Sequence, residues 1–172
     1  MSDTLGISTG AIKGGTKKVF RTGVNDTNAA DIEGVGTIRM EGECTYKWMK
    51  FVNNVNQTNA TSGACLVYTA LNTVDIIASG YGCPAGVQMA PVPPSTPLGT
   101  AYFGWVQVSG PAILSTAVTG SPAAGQPLTI AGFGGTAKST TVATLVTQAD
   151  LGVYLGTTLG GNANAVYLGC PF

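Results

Sequence analysis

The chain has 172 residues and a mass of 17.3 kDa, carries no formal net charge, and has only 9% charged side chains. That length fits one domain with a core plus an appendage. Eight basic residues against eight acidic ones give no default electrostatic capture of nucleic acid. No apolar run is long enough for a transmembrane helix, and the lack of histidine removes Ser-His and Cys-His nucleophile pairs.

The charges are unevenly placed: from Phe51 to Phe172 the only ones are Asp75, Lys138 and Asp150, and the rest lie in the first 50 residues. The start, Met1-Ser2-Asp3-Thr4-Leu5-Gly6, has neither a basic stretch nor an apolar core, so no secretory signal is expected. Residues 1–43 are glycine-rich and charged, with Phe20 the only aromatic. Gly10 to Lys17 has the composition of a phosphate loop, but Gly15-Thr16-Lys17 inverts the required order. With so little apolar surface, residues 1–43 read as an extended arm that orders on a partner, with a solvated tail as the alternative. Its apolar islands, Val19 and Phe20, then Ile38, Arg39 and Met40, are candidates for strand addition to a partner's sheet edge.

Residues 44–172 read as an all-β body, a small β-sandwich or barrel. The first strand covers 45–52, with Tyr46 and Trp48 on one face and Lys47, Met49 and Phe51 on the other. Further strands are predicted over 64–69, 73–78, 86–90, 100–108, 112–117, 126–130, 140–146, 151–155 and 164–168. Gly, Pro and Asn punctuate nearly every joint, as in Ser109-Gly110-Pro111 and Gly160-Gly161-Asn162.

Chemistry is sparse in this body. Asp75, between Val74 and Ile76, reads as an outward strand residue, and Asp150 sits at a turn, so no carboxylate pair is available for glycoside hydrolysis. Cys44, Cys65, Cys83 and Cys170 are too dispersed for a zinc set and read as small buried residues. Trp48, Trp105 and Tyr167 are assigned to the body core or to self-association rather than to base or sugar stacking. No catalytic, cofactor-binding or metal-binding residue is identified, and no enzyme is expected. A surface this poor in charge implies cover by copies of the chain or by a larger partner.

Tyr46-Lys47-Trp48-Met49-Lys50-Phe51-Val52-Asn53-Asn54 resembles the opening strand of the tailed-bacteriophage capsid cement, or decoration, proteins. Tyr102-Phe103-Gly104-Trp105-Val106-Gln107-Val108-Ser109-Gly110-Pro111-Ala112 is similar to that family's Gly-Trp-Val-Gln strand, which turns through Gly-Pro. Ala124-Gly125-Gln126-Pro127-Leu128 and the ending Asn164-Ala165-Val166-Tyr167-Leu168-Gly169-Cys170-Pro171-Phe172 resemble its later turn and closing strand. The resemblance implies a virion structural protein on the outer surface of the capsid, assembled in the bacterial cytoplasm. Its partners would be the major capsid protein and copies of itself, as a homotrimer or a dimer, with neither nucleic acid nor membrane involved. The alternative from another class is a phage fibre or knob module that binds a host-surface glycan or receptor.

Overall fold

In the computed structural model, residues 19–51, 62–76, 83–93, 101–115, 118–130, 137–139, 150–156 and 164–170 are described, and every regular element among them is a β-strand. In chain order these are β1 (Thr27–Asn28), β2 (Ile38–Glu41), β3 (Cys44–Phe51), β4 (Cys65–Ala70), β5 (Thr73–Asp75) and β6 (Pro84–Gln88). There follow β7 (Tyr102–Ile113), β8 (Pro127–Ile130), β9 (Ala137–Ser139), β10 (Gly152–Tyr154) and β11 (Ala165–Gly169).

Five strands close a barrel in the order β7, β3, β5, β4, β6 and back to β7. Two contacts make the closure. β3 pairs antiparallel with β7 from Thr45↔Ser109 to Phe51↔Tyr102, while its end pairs parallel with β5 at Lys50↔Thr73 and Phe51↔Val74. On the far side β6 meets β7 at Val87↔Gln107. A Cβ on Gly86, which has φ 135°, would collide with the Gln107 carbonyl, so only glycine allows this approach. From β7 the sheet continues as a wing, β11, β10, β8, β9, starting at Ala165↔Ile113 and Gly169↔Ser109.

β7 overturns a sequence expectation. The break read at Ser109-Gly110-Pro111 is absent, and the strands predicted over 100–108 and 112–117 are joined in one. Gly110 takes φ 96°, bending the strand without ending it, where a Cβ would strike the Glu43 carbonyl. Leu114 N donates to Asn164 O (3.1 Å) and Ser115 N to Gly63 O (2.9 Å), so alternate amides face opposite edges. The proline nitrogen at 111 therefore faces the edge opposite β11, beyond the last β6 pair at Gln107, where no ladder bond is lost.

Alternation along β3 and β7 builds two cores. Met49, Phe51, Val106 and Val108 point into the barrel and join Leu66, Val74 and Val87, and the same cluster runs on through Leu128, Ile130, Leu151, Val166 and Leu168 of the wing. Barrel and wing thus share one interior. On the outer face Tyr46, Trp48 and Trp105 form a second cluster, packed against Phe20, Val24, Val35 and Phe103.

That second cluster relocates the boundary expected between residues 43 and 44. The boundary falls inside the β2–β3 hairpin, where Glu41 pairs with Cys44 and Ile38 with Lys47. β1 adds to the body as well, at Thr27↔Gly104 and Asn28↔Phe103. Residues 19–43 are therefore a covering layer of the body rather than a separate arm. Composition hid this because few apolar residues, Phe20, Val24 and Val35 among them, act together with polar atoms and strand pairing to hold the layer. Asp75 is also corrected: it is buried, and its Oδ1 accepts from Ile76 N (2.7 Å). β9 was not predicted, and the strand predicted over 140–146 lies outside the described residues.

Candidate functional site

Trp48 and Trp105 meet edge to face with ring centroids 5.3 Å apart, and Phe20 stands on Trp105 in the same manner at 5.4 Å. Both indole N–H groups are held by the covering layer. Trp48 Nε1 donates to Asp31 Oδ1 (2.8 Å), and Trp105 Nε1 donates to Thr22 Oγ1 (2.9 Å). The Thr22 hydroxyl passes its own hydrogen to Glu33 Oε1 (2.9 Å), which also accepts from Thr22 N (2.8 Å) and Arg21 N (2.6 Å). Asp31 ties its own loop through Gly34 N and Val35 N, both at 3.0 Å. Arg39 completes the lid. Its guanidinium lies 5.0 Å from the Phe20 ring centre and 5.7 Å from that of Trp105, donates to Thr22 O (2.7 Å) and pairs with Glu41.

The predicted site residues therefore divide. Phe20 and Arg39 are engaged inside the molecule, and Trp48 and Trp105 are buried in the second cluster. Val19, Ile38, Met40 and Tyr167 are exposed. Leu71, on the β4–β5 turn and 87% exposed, belongs with them and was missed, although Asn72 beside it, at φ 55°, is a turn residue. Thr22, Asp31 and Glu33 were missed too. Asp31, three residues before Gly34, did carry a turn signature that could have flagged the loop.

Electrostatics on these faces favour neutrality. Burial, with Cys44 alongside, pushes the Tyr46 phenol up to about 12. Burial lowers the Lys47 ammonium, which lies 5.7 Å over the Tyr68 ring. Burial also pushes the Cys65 thiol up to about 12 and raises that of Cys170. Cys65 and Cys170 are buried as expected; Cys83, just outside β6, is exposed, contrary to the reading of all four as buried.

A groove of about 380 Å³ opens beside β6 and β7, between Gly63, Val87, Gln88, Gln107, Pro111 and Ile113. Two lining amides are satisfied by carbonyls just along the chain, Gln107 Nε2 donating to Pro111 O (2.8 Å) and Gln88 Nε2 to Ala90 O (2.6 Å). Among the described residues no acid, amine or thiol lines the groove. It can seat an apolar side chain, and its one hydroxyl, Ser62 Oγ, donates to Met89 O (2.9 Å). Among the described residues no group of acidic or cysteine side chains could hold a metal, and no helix is long and apolar enough to cross a membrane. What the molecule offers is surface, namely exposed apolar side chains on a neutral β body. Against protein-family models, curated proteins and solved structures, the chain has no match.

Proposed function

We propose that this protein is a capsid cement protein that packs on the outer face of a phage head and bridges major capsid protein subunits. One observation carries the reading. From Phe51 onward the sequence has three charged residues, and Asp75 is buried, which leaves Lys138 and Asp150 as the exposed charges of that stretch. Free soluble domains keep about a quarter of their residues charged, whereas permanent interfaces resemble a core cut in half. Exposed Met40, Leu71 and Ile113 supply apolar contact on such a body. Repeated over a closed shell, a small contact per copy adds up to mechanical strength.

The fibre or knob reading is weakened by the buried tryptophans, since Trp48 and Trp105 lie under the covering layer and present no ring to a sugar.

The test is addition of the purified chain to heads that lack it. Saturation is expected on the order of hundreds of copies per particle, as a repeating shell site requires. Attachment should change little up to about 0.5 M salt, because apolar contacts are not screened as exposed ion pairs are. Steep salt loss, or a few tens of copies at unique sites, would overturn the proposal.

A further inference from the structure

β2 ends the sheet, and one of its two edges is in use. Trp48 N donates to Thr37 O and Gly36 N to Trp48 O, both at 2.8 Å, so the even-numbered residues of β3 turn their main chain toward β2. The hydrogen-bonded pairs of the hairpin are therefore Arg39 with Tyr46 and Glu41 with Cys44. The N–H and C=O groups of Ile38 and Met40 point the other way, to the outer edge, where no described residue meets them. Edge strands are normally blunted by charge, proline or a bulge. Here the two positions carry an isoleucine 45% exposed and a methionine 77% exposed. The strand's one cation, Arg39, is turned onto Phe20 and Trp105.

We propose that β2 is a self-association strand, to which a second copy of the chain adds its own β2 antiparallel across a two-fold axis at Met40. Charge selects this register. Centring the pair on Arg39 would set two guanidinium groups directly opposite, which is destabilising. Centring it on Met40 sets Arg39 of each copy opposite Glu41 of the other. Within one chain Glu41 uses Oε1 to accept from Arg39 Nε and Nη2, while Arg39 Nη1 serves Thr22 O. A guanidinium has five N–H groups, so donors remain for the second copy's carboxylate, and the charges alternate in a closed set of four.

The two methionines then meet on the face opposite the tryptophans, flanked by Ile38 of each chain. Gly42, at φ 57° and with no atom within 4 Å of where its Cβ would stand, leaves room for the turn of one copy beside Ile38 of the other. The contact is short, so pairing depends on concentration and gains strength where copies are held side by side. It does not rest on head binding, and its test contains no heads.

Sedimentation equilibrium on the full chain should show reversible dimerisation over about two decades of concentration. Met40→Lys and Met40→Glu each place like charges across the axis and should weaken association at least tenfold. Mixed in equal amounts they should pair more tightly than either alone, since lysine then faces glutamate. An unshifted tryptophan emission confirms that both variants keep the fold. A wild-type chain that stays monomeric, or an oligomer undiminished in both variants, overturns the assignment. Variants that remain monomeric when mixed overturn the two-fold register.

Discussion

Replacing Glu33 by alanine tests whether the covering layer is held by its polar atoms. Glu33 Oε1 accepts from Thr22 N, Thr22 Oγ1 and Arg21 N, and the first two are buried contacts. A buried donor left without an acceptor costs about 1–3 kcal/mol, whereas water can reach the exposed Arg21. Two such donors put the loss near 3 kcal/mol. For a chain of this size each kcal/mol lowers the melting point by about 2–4 °C, so the expected drop is about 6–12 °C. Glu33→Gln, which keeps an acceptor oxygen, should cost about 1 kcal/mol. The assay has a built-in reporter, because the chain's two tryptophans both sit under this layer. Intrinsic emission therefore reads this face alone, and it should shift to the red in Glu33→Ala before the barrel melts. A melting point within about 4 °C of wild type with unshifted emission would refute the argument, since two donors at about 1 kcal/mol each are the least it allows.

A chain starting at Glu43 loses β1, β2, Phe20 and the acceptors of both indoles; it should show water-exposed tryptophan and no cooperative unfolding at the wild-type midpoint, whereas an unchanged melt would restore residues 1–43 as a dispensable arm. Thiol alkylation followed by mass spectrometry at mildly alkaline pH should label Cys83 quickly and leave Cys65 and Cys170 untouched until denaturant is added, because burial keeps the latter two protonated. Rapid native labelling of Cys65 would place it outside the core.

The sequence showed the strands whose side chains alternate most plainly. β3, with Tyr46 and Trp48 opposite Met49 and Phe51, was legible down to its faces. β4, β5, β8, β10 and β11 were found to within a few residues, because glycine, proline and asparagine flank apolar runs there. β7 was split at Gly110-Pro111 because that dipeptide normally signals a turn. Only the three-dimensional neighbours, an unneeded amide at Pro111 and the close carbonyl of Glu43, show why a strand passes through it. The layer over the tryptophans was illegible for another reason. Its adhesion depends on Asp31 and on Thr22, itself held by Glu33, meeting indoles far along the chain, and polar contacts at that separation leave no periodic trace. Exposure of Ile38 and Met40 was legible only as apolarity; that their main-chain groups face outward needed the register with β3.

The position of β7 also sets a timetable for synthesis. It is the one strand that pairs with β1, β3, β6 and β11, so the first three wait for residues 102–113 to leave the ribosome, and the wing can start only on β7 already made. Until then the nascent chain holds the β2–β3 and β4–β5 hairpins, whose partners are close in sequence, with Trp48 still in water. Arrival of β7 closes the barrel between β3 and β6 and brings Trp105 under Phe20 and Thr22 in the same event. For a chain with so little charge that interval is the sticky one, and its length is governed by how soon a single twelve-residue strand is translated.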